Sequence, residues 1–158
     1  DGFYEKFDDQ GKPLESAHYK EGKLNGERKL YEKGFIYSLE NYKMDLFEGP
    51  YKVFYPNGQL QLECQYIHNE MSGTLKAYFP EGQLKEIVQM SGSQENGPFE
   101  EYYQNGKIKA NGFYKNGPYE EGLLNLFDST GTLIKKMNCK EGICTTTWTL
   151  EMDSTKTK

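Results

Sequence analysis

The stretch Tyr55-Pro56-Asn57-Gly58-Gln59-Leu60 decides the fold, because it returns as Phe79-Pro80-Glu81-Gly82-Gln83-Leu84 and again as Tyr103-Gln104-Asn105-Gly106-Lys107-Ile108. A hexamer recurring every 24 residues marks a repeat architecture, which outranks any local propensity. Cutting the chain before the glycine that precedes each copy gives units opening at Gly2, Gly26, Gly49, Gly73, Gly97 and Gly122. Each unit carries an aromatic five residues after its opening glycine: Phe7, Tyr31, Phe54, Tyr78, Tyr102 and Phe127. A second glycine and then an aliphatic follow, and the unit closes on Tyr19, Tyr42, Tyr66, Met90, Tyr114 or Cys139.

Short β-prone runs flanking Pro-Asn-Gly or Gln-Asn-Gly predict β-hairpins, with glycine in the φ > 0 position that a side chain resists. A three-residue Pro56-Asn57-Gly58 loop sets Phe54 opposite Leu60. A two-residue Lys33-Gly34 loop sets Tyr31 opposite Ile36, and a four-residue loop from Asp9 to Lys12 sets Phe7 opposite Leu14. Length changes are thus absorbed in the turn while the cross-strand pair that fixes register is kept. An isolated hairpin is marginal in water, so stacking on neighbours must complete the fold. The expected architecture is all-β: an elongated, twisted, single-layer antiparallel meander of about twelve strands in six tandem hairpins. Residues 1–148 form one repeat domain, and 149–158 are a C-terminal tail that is disordered from Asp153 to Lys158. Trp148 is expected to cover the last edge, with the end hairpins the weakest.

Composition agrees. Hydrophobic content is 35%, yet 13 Tyr and 9 Phe supply rings at regular places, which suits a thin, Tyr-lined sheet. The formal charge is -5, and Arg28 is the single arginine, which disfavours nucleic acid as a partner. No run of 18 apolar residues occurs, so no transmembrane segment is expected. The chain starts at Asp1 without Met, which reads as an upstream segment having been removed. Localisation is left between the bacterial cytoplasm and export.

The spacing of glycine, aromatic, N-G-K/Q-L/I turn and a closing Y-K-N-G or Y-K-E-G resembles the variant MORN repeat over about residues 2 to 144. It is most similar to the bacterial YwqK-like proteins described as antitoxins. The resemblance implies an elongated sheet of hairpins without an active site, used to bind a protein partner, with a toxin as the partner that the antitoxin label names. The pattern departs at Met90 and Cys139, where a closing Tyr is expected, and at Lys43 to Leu46, where the closing glycine is missing.

Catalytic chemistry finds little support. His18 and His68 fall two repeats apart, too far to share a metal or to serve a nearby nucleophile, and no phosphate loop, nucleophile elbow or zinc motif occurs. The expectation is a non-enzyme with no cofactor and no metal site. Cys139 and Cys144 flank Lys-Glu-Gly-Ile, a tight turn across which a disulfide would form, the alternative being two small residues in a cap. Cys64 reads as buried and inert.

The register places residues two, four and six after the opening glycine on the face opposite the aromatic–aliphatic pairs. In the middle units that face carries Tyr51, Val53, Tyr55, Leu75, Phe79, Phe99 and Tyr103, whereas the outer units have Asp8, Glu32 and Asp128 at the sixth position. Two readings stand: a central aromatic binding surface, for which Tyr51, Tyr55, Phe79, Phe99 and Tyr103 are the candidates, or a second core formed by curling of the sheet. Three partner classes follow: a protein, a cell-surface glycan by similarity to Tyr-rich choline- and glucan-binding repeats, and a membrane lipid by the MORN name alone. The exposed ladders of the outer strands would also permit an edge-strand dimer.

Overall fold

The computed structural model describes residues 1–154 and shows one open antiparallel sheet of 14 strands. These are β1 Gly2–Phe7, β2 Pro13–Lys20, β3 Lys23–Glu32, β4 Phe35–Lys43, β5 Leu46–Phe47, β6 Gly49–Phe54 and β7 Leu60–Ile67, then β8 Glu70–Tyr78, β9 Leu84–Ser91, β10 Gln94–Tyr102, β11 Ile108–Tyr114, β12 Gly122–Phe127, β13 Leu133–Lys140 and β14 Ile143–Thr149. Strands pair in sequence order except that the short β5 pairs only with β4, leaving β6 to continue the path. At ~4.8 Å per interval, the path of 13 paired strands measures roughly 58 Å along the sheet.

The expected register is present in five of the six units: Tyr31 faces Ile36, Phe54 faces Leu60, Tyr78 faces Leu84, Tyr102 faces Ile108 and Phe127 faces Leu133. The first unit differs, with Phe7 opposite Pro13 and not Leu14. The loop is not lengthened there. The bond from Asp8 N to Lys12 O repeats the bond from Tyr55 N to Gln59 O, both at 2.8 Å, so Pro13 occupies the place that Leu60 holds.

The two long margins of the sheet use different turns. Along one, Gly58 N donates to Tyr55 O at 2.8 Å while Gly58 sits at φ 83, a type I turn closed by a left-handed residue. Along the other, two-residue turns put both central residues at positive φ, as at His68 (48°) and Asn69 (69°), which matches the right-handed strand twist.

The opening glycine of each unit lies directly across from the closing residue: Gly2 from Tyr19, Gly26 from Tyr42, Gly49 from Tyr66, Gly73 from Met90, Gly97 from Tyr114 and Gly122 from Cys139. Gly49 shows why. Its φ of 107° marks an irregularity in the strand that a side chain would resist, and Tyr66 opposite packs its ring on Phe47 and Tyr51.

The core lies on one face. In the C-terminal half, Val88, Phe99, Ala110, Leu124 and Cys139 form a buried row, with Leu75, Met90, Tyr114 and Met137 packed against it. In the N-terminal half the same face is polar and aromatic. Arg28 Nε donates to Glu15 at 2.7 Å, and its terminal nitrogen reaches Glu40 at 3.3 Å. Glu40, 6% exposed, also accepts from Ser38 Oγ at 3.1 Å and from the Tyr42 hydroxyl at 2.9 Å. Several donors on one buried carboxylate satisfy its acceptor oxygens. Beside it the rings of Tyr42, Phe47, Tyr51 and Tyr66 pack with centroids 4.4–6.0 Å apart.

The C-terminal end departs from expectation. Residues Leu150–Ser154 form a short helix, α1, against β13 and β14, where the sequence predicts a tail. Asp153 and Ser154, expected to be disordered, lie in that helix, and residues 155–158 fall outside the described part. Trp148 is opposite Lys136, whose ammonium stands 5.8 Å from the ring centroid, so the indole covers a face of the last hairpin and not its edge.

Candidate interaction surface

The five candidate binding residues do not form one patch. Phe99 is interior: 3% exposed, stacked on Tyr114 with centroids 4.1 Å apart and interplanar angle 18°. Its ring lies across Gly112, where an added Cβ would sit 2.8 Å from the Phe99 ring edge. For Phe99, the second-core reading describes the molecule, and Phe99 is removed from the candidate surface. The cover is local: the missing side chain at Gly112 leaves room for the ring, and Val88, Leu124 and Tyr114 pack around it. Tyr51 belongs to the aromatic cluster of the N-terminal half and faces Cys64, which is buried and has its thiol pushed up to about 11 by burial.

Tyr55, Phe79 and Tyr103 share another setting. Each opens a turn on the same margin and donates its backbone N–H to the residue four further on, at 2.8 Å. All three are half-buried, and they follow one another along the sheet edge at intervals of one unit. The Tyr55 hydroxyl donates to Tyr78 O at 2.8 Å, and Asn57 Nδ2 donates to Pro80 O at 2.8 Å, which fastens the third turn to the fourth. In the same way, Tyr103 donates to Phe127 O at 2.8 Å and Asn105 Nδ2 to Ser129 O at 2.7 Å, fastening the fifth turn to the sixth.

Between the fourth and fifth turns those donors are missing, because Phe79 has no hydroxyl and Glu81 replaces the asparagine. A groove of about 520 Å³ opens there, with Phe79, Tyr102 and Tyr103 among its walls. A second opening, about 340 Å³ and lined by Phe35, Tyr37, Tyr55 and Pro56, lies between the second and third turns, where the Lys33-Gly34 loop brings neither donor. Phe35 is 61% exposed.

Three of the hairpins match the MORN repeat variant. The matched residues are 47–68, 71–91 and 95–116, so each match takes in one hairpin of the middle of the chain: β6–β7, β8–β9 and β10–β11. No curated protein sequence matches the chain significantly. The MORN-type hairpins are the three whose turns carry Tyr55, Phe79 and Tyr103, and the outer units, where Asp8 and Asp128 hold that position, lie outside the matches. There the carboxylate folds onto its own turn: Asp128 accepts from the N–H groups of Thr130 (2.9 Å) and Thr132 (3.0 Å), and the bonds with those two residues, that to the Thr130 side chain foremost, hold it below the usual carboxylate range. An aromatic thus holds the turn-opening position only in the matched stretch.

Two structural roles escaped the sequence reading. The residue before every opening glycine is a side-chain acceptor, namely Asp1, Asn25, Glu48, Ser72, Asn96 and Glu121. Glu48 and Glu121 accept the N–H of His68 (2.9 Å) and Glu141 (3.1 Å) from the following turn, and Asn25 accepts from Met44 at 3.3 Å. Asp45, Asn69 and Ser93 hold the second turn position, where glycine is the default. Asn69 shows their use: its N–H donates to Phe47 O at 3.0 Å while its Oδ1 accepts from Phe47 N at 2.7 Å. The six-fold acceptor before glycine was the available signal.

His18 and His68 are both exposed. His18 Nδ1 lies 3.3 Å from Glu27 O, and His68 occupies a turn. Among the described residues no group of three or more His, Cys, Asp or Glu is arranged to hold a metal ion, and no helix is long and apolar enough to cross a membrane. Cys139 and Cys144 stand opposite each other on β13 and β14, and their sulfurs are 2.02 Å apart.

Proposed function

We infer that the MORN-type hairpins make this a repeat-based binding or scaffold module. We propose that this chain, acting as one domain over residues 1–148, is a non-enzymatic protein-interaction module whose contact surface is the margin bearing Tyr55, Phe79 and Tyr103. The observation that carries the reading is the pair of openings along that margin, each lined by aromatic rings that are at least partly exposed. Rings held by backbone turns offer wide contact area at small entropic cost. The likeness to YwqK-like proteins makes a toxin the first partner to try.

The test is affinity capture with crosslink mapping. A genuine partner crosslinks to turn residues 79–83 or 103–107 and is lost on Phe79→Ala and on Tyr103→Ala, each checked for an intact sheet by circular dichroism. A partner that crosslinks elsewhere, or tolerates both substitutions, removes this margin as the surface.

A further inference from the structure

The groove between the fourth and fifth turns holds charge as well as rings. Glu86 on β9 stands directly opposite Glu101 on β10, a like-charged cross-strand pair. Glu101 is occupied by Lys109, whose ammonium lies 2.7 Å from it. The Glu86 carboxylate makes no hydrogen bond or ion pair with any described residue. Lys85 also borders the groove, as an exposed strand residue.

We propose that this groove is a binding site for a cationic side chain, a lysine or arginine carried on a basic segment of a partner protein, which lies against Phe79 and Tyr103 with Glu86 as its counter-charge. This deepens the interaction reading and rests on it. Three observations converge. The groove exists where the Tyr–Asn fastening of the neighbouring turns is replaced by Phe79 and Glu81, so the space belongs to the sequence and not to a general looseness of the sheet. Phe79, Tyr102 and Tyr103 line it, and an aromatic ring attracts a cation placed over its face, more firmly when the cation is partly desolvated. Its one unpaired carboxylate is half-buried and held above the usual range, first by burial and then by Glu101. Glu95 adds to the rise, and Lys85 and Lys109 do not cancel it. An incoming cation relieves that cost. The formal charge of -5 steers a basic partner in the same direction.

The probe is N-acetyl-arginine N-methylamide, followed by chemical-shift titration of the whole chain, with the uncharged citrulline analogue as control. Saturable shifts are expected at Phe79, Glu86 and Tyr103 with the arginine probe and not with citrulline, and Glu86→Gln should weaken binding about tenfold. A second variant guards against loss of fold. Phe79→Tyr with Glu81→Asn supplies the two missing donors, should fasten the fourth turn to the fifth, and is expected to raise stability while abolishing probe binding.

Equal shifts with citrulline, shifts scattered over the acidic surface, unchanged affinity in Glu86→Gln, or undiminished binding to the fastened variant each overturn the site. The outcomes separate from those of the broader reading. A partner lost on Phe79→Ala and Tyr103→Ala but indifferent to Glu86→Gln keeps the margin and discards the cation site. Probe binding with a partner that ignores those alanine variants keeps the cation pocket and discards the margin as the partner surface.

Discussion

Replacing Gly112 by alanine should destabilise the protein, against the ordinary expectation. A glycine inside a strand costs roughly 0.5–1 kcal/mol relative to alanine, so an unobstructed Gly→Ala change in β11 would help. Gly112 has no left-handed φ to forbid a side chain, but the added Cβ would sit 2.8 and 3.0 Å from two Phe99 ring carbons and 3.2 Å from a Leu124 methyl. Phe99 and Leu124 are buried and have no free volume to move into, so overpacking of about 1–3 kcal/mol exceeds the gain, leaving a net loss near 1–2 kcal/mol. The diagnostic is a double-mutant cycle by urea denaturation with Phe99→Leu, which vacates the space beside the glycine. Alone, Phe99→Leu is destabilising; with Gly112→Ala present the two should couple favourably by about 1 kcal/mol or more, since the new methyl fills what the ring leaves. Gly58→Ala is the control. Nothing lies within 4 Å of a Cβ there, but φ is +83°, so it should cost about 1–2 kcal/mol through backbone strain alone and add independently to Phe99→Leu. A stabilising Gly112→Ala, or strict additivity with Phe99→Leu, would refute the inward placement of Phe99 and with it the one-faced core.

Tyr103→Phe removes the bond to Phe127 O and should cost about 0.5–1.5 kcal/mol in thermal or urea unfolding, with amide exchange rising in the sixth turn and not the fourth. Glu86→Gln should stabilise the protein at neutral pH. Its folded carboxyl is held above the ordinary 4.5, so the native state binds the proton more tightly than the unfolded chain, and wild-type stability falls as pH rises from 4.5 through the raised value. The advantage of the glutamine variant should therefore disappear below pH 4.5, and a persistent advantage in acid would show a packing effect instead. The bridge between Cys139 and Cys144 closes a very short loop, so reduction should cost about 2 kcal/mol and increase exchange in β14 first; a chain whose two thiols alkylate fully without reductant would remove it.

The sequence announced hairpins because a turn is a local event. Pro56-Asn57-Gly58 fixes its own geometry within three residues, and the pairing of Phe54 with Leu60 follows from it. Phe7 shows the limit of counting. Leu14 looked like the matching aliphatic, but the loop closes on Lys12 as every three-residue turn of this margin does, and Pro13 is carried into the paired position. What could not be read was the destination of Phe99. Its strand position was right and its face was right, but whether that face is covered depends on what the neighbouring strands place beside the ring, Gly112 and Tyr114 on β11 and Val88 on β9, and these lie apart from Phe99 in the sequence. The glycine–tyrosine pairing was present as two separate regularities, Gly49 and Tyr66 at opposite ends of one unit, which only the ladder unites.

Regularity and function pull apart in such a chain. The repeated residues are those the sheet consumes: Tyr66 packs on Phe47 and Tyr51, Asn57 and Asn105 fasten successive turns, Glu48 caps the turn at His68. A polar group that satisfies its neighbour in the array has no hydrogen bond left to offer a partner, so the proposed recognition surface opens where the pattern fails. Phe79 and Glu81 are such a failure, with the ring kept, the hydroxyl and the amide lost, and the groove opening where those two donors would have closed it. Lys33-Gly34 is another, shorter by one residue and followed by the open rings of Phe35 and Tyr37. Conversely, restoring the pattern at residues 79 and 81 should make the sheet more regular, more stable and less able to bind, a trade in which the same two side chains move both quantities in opposite directions.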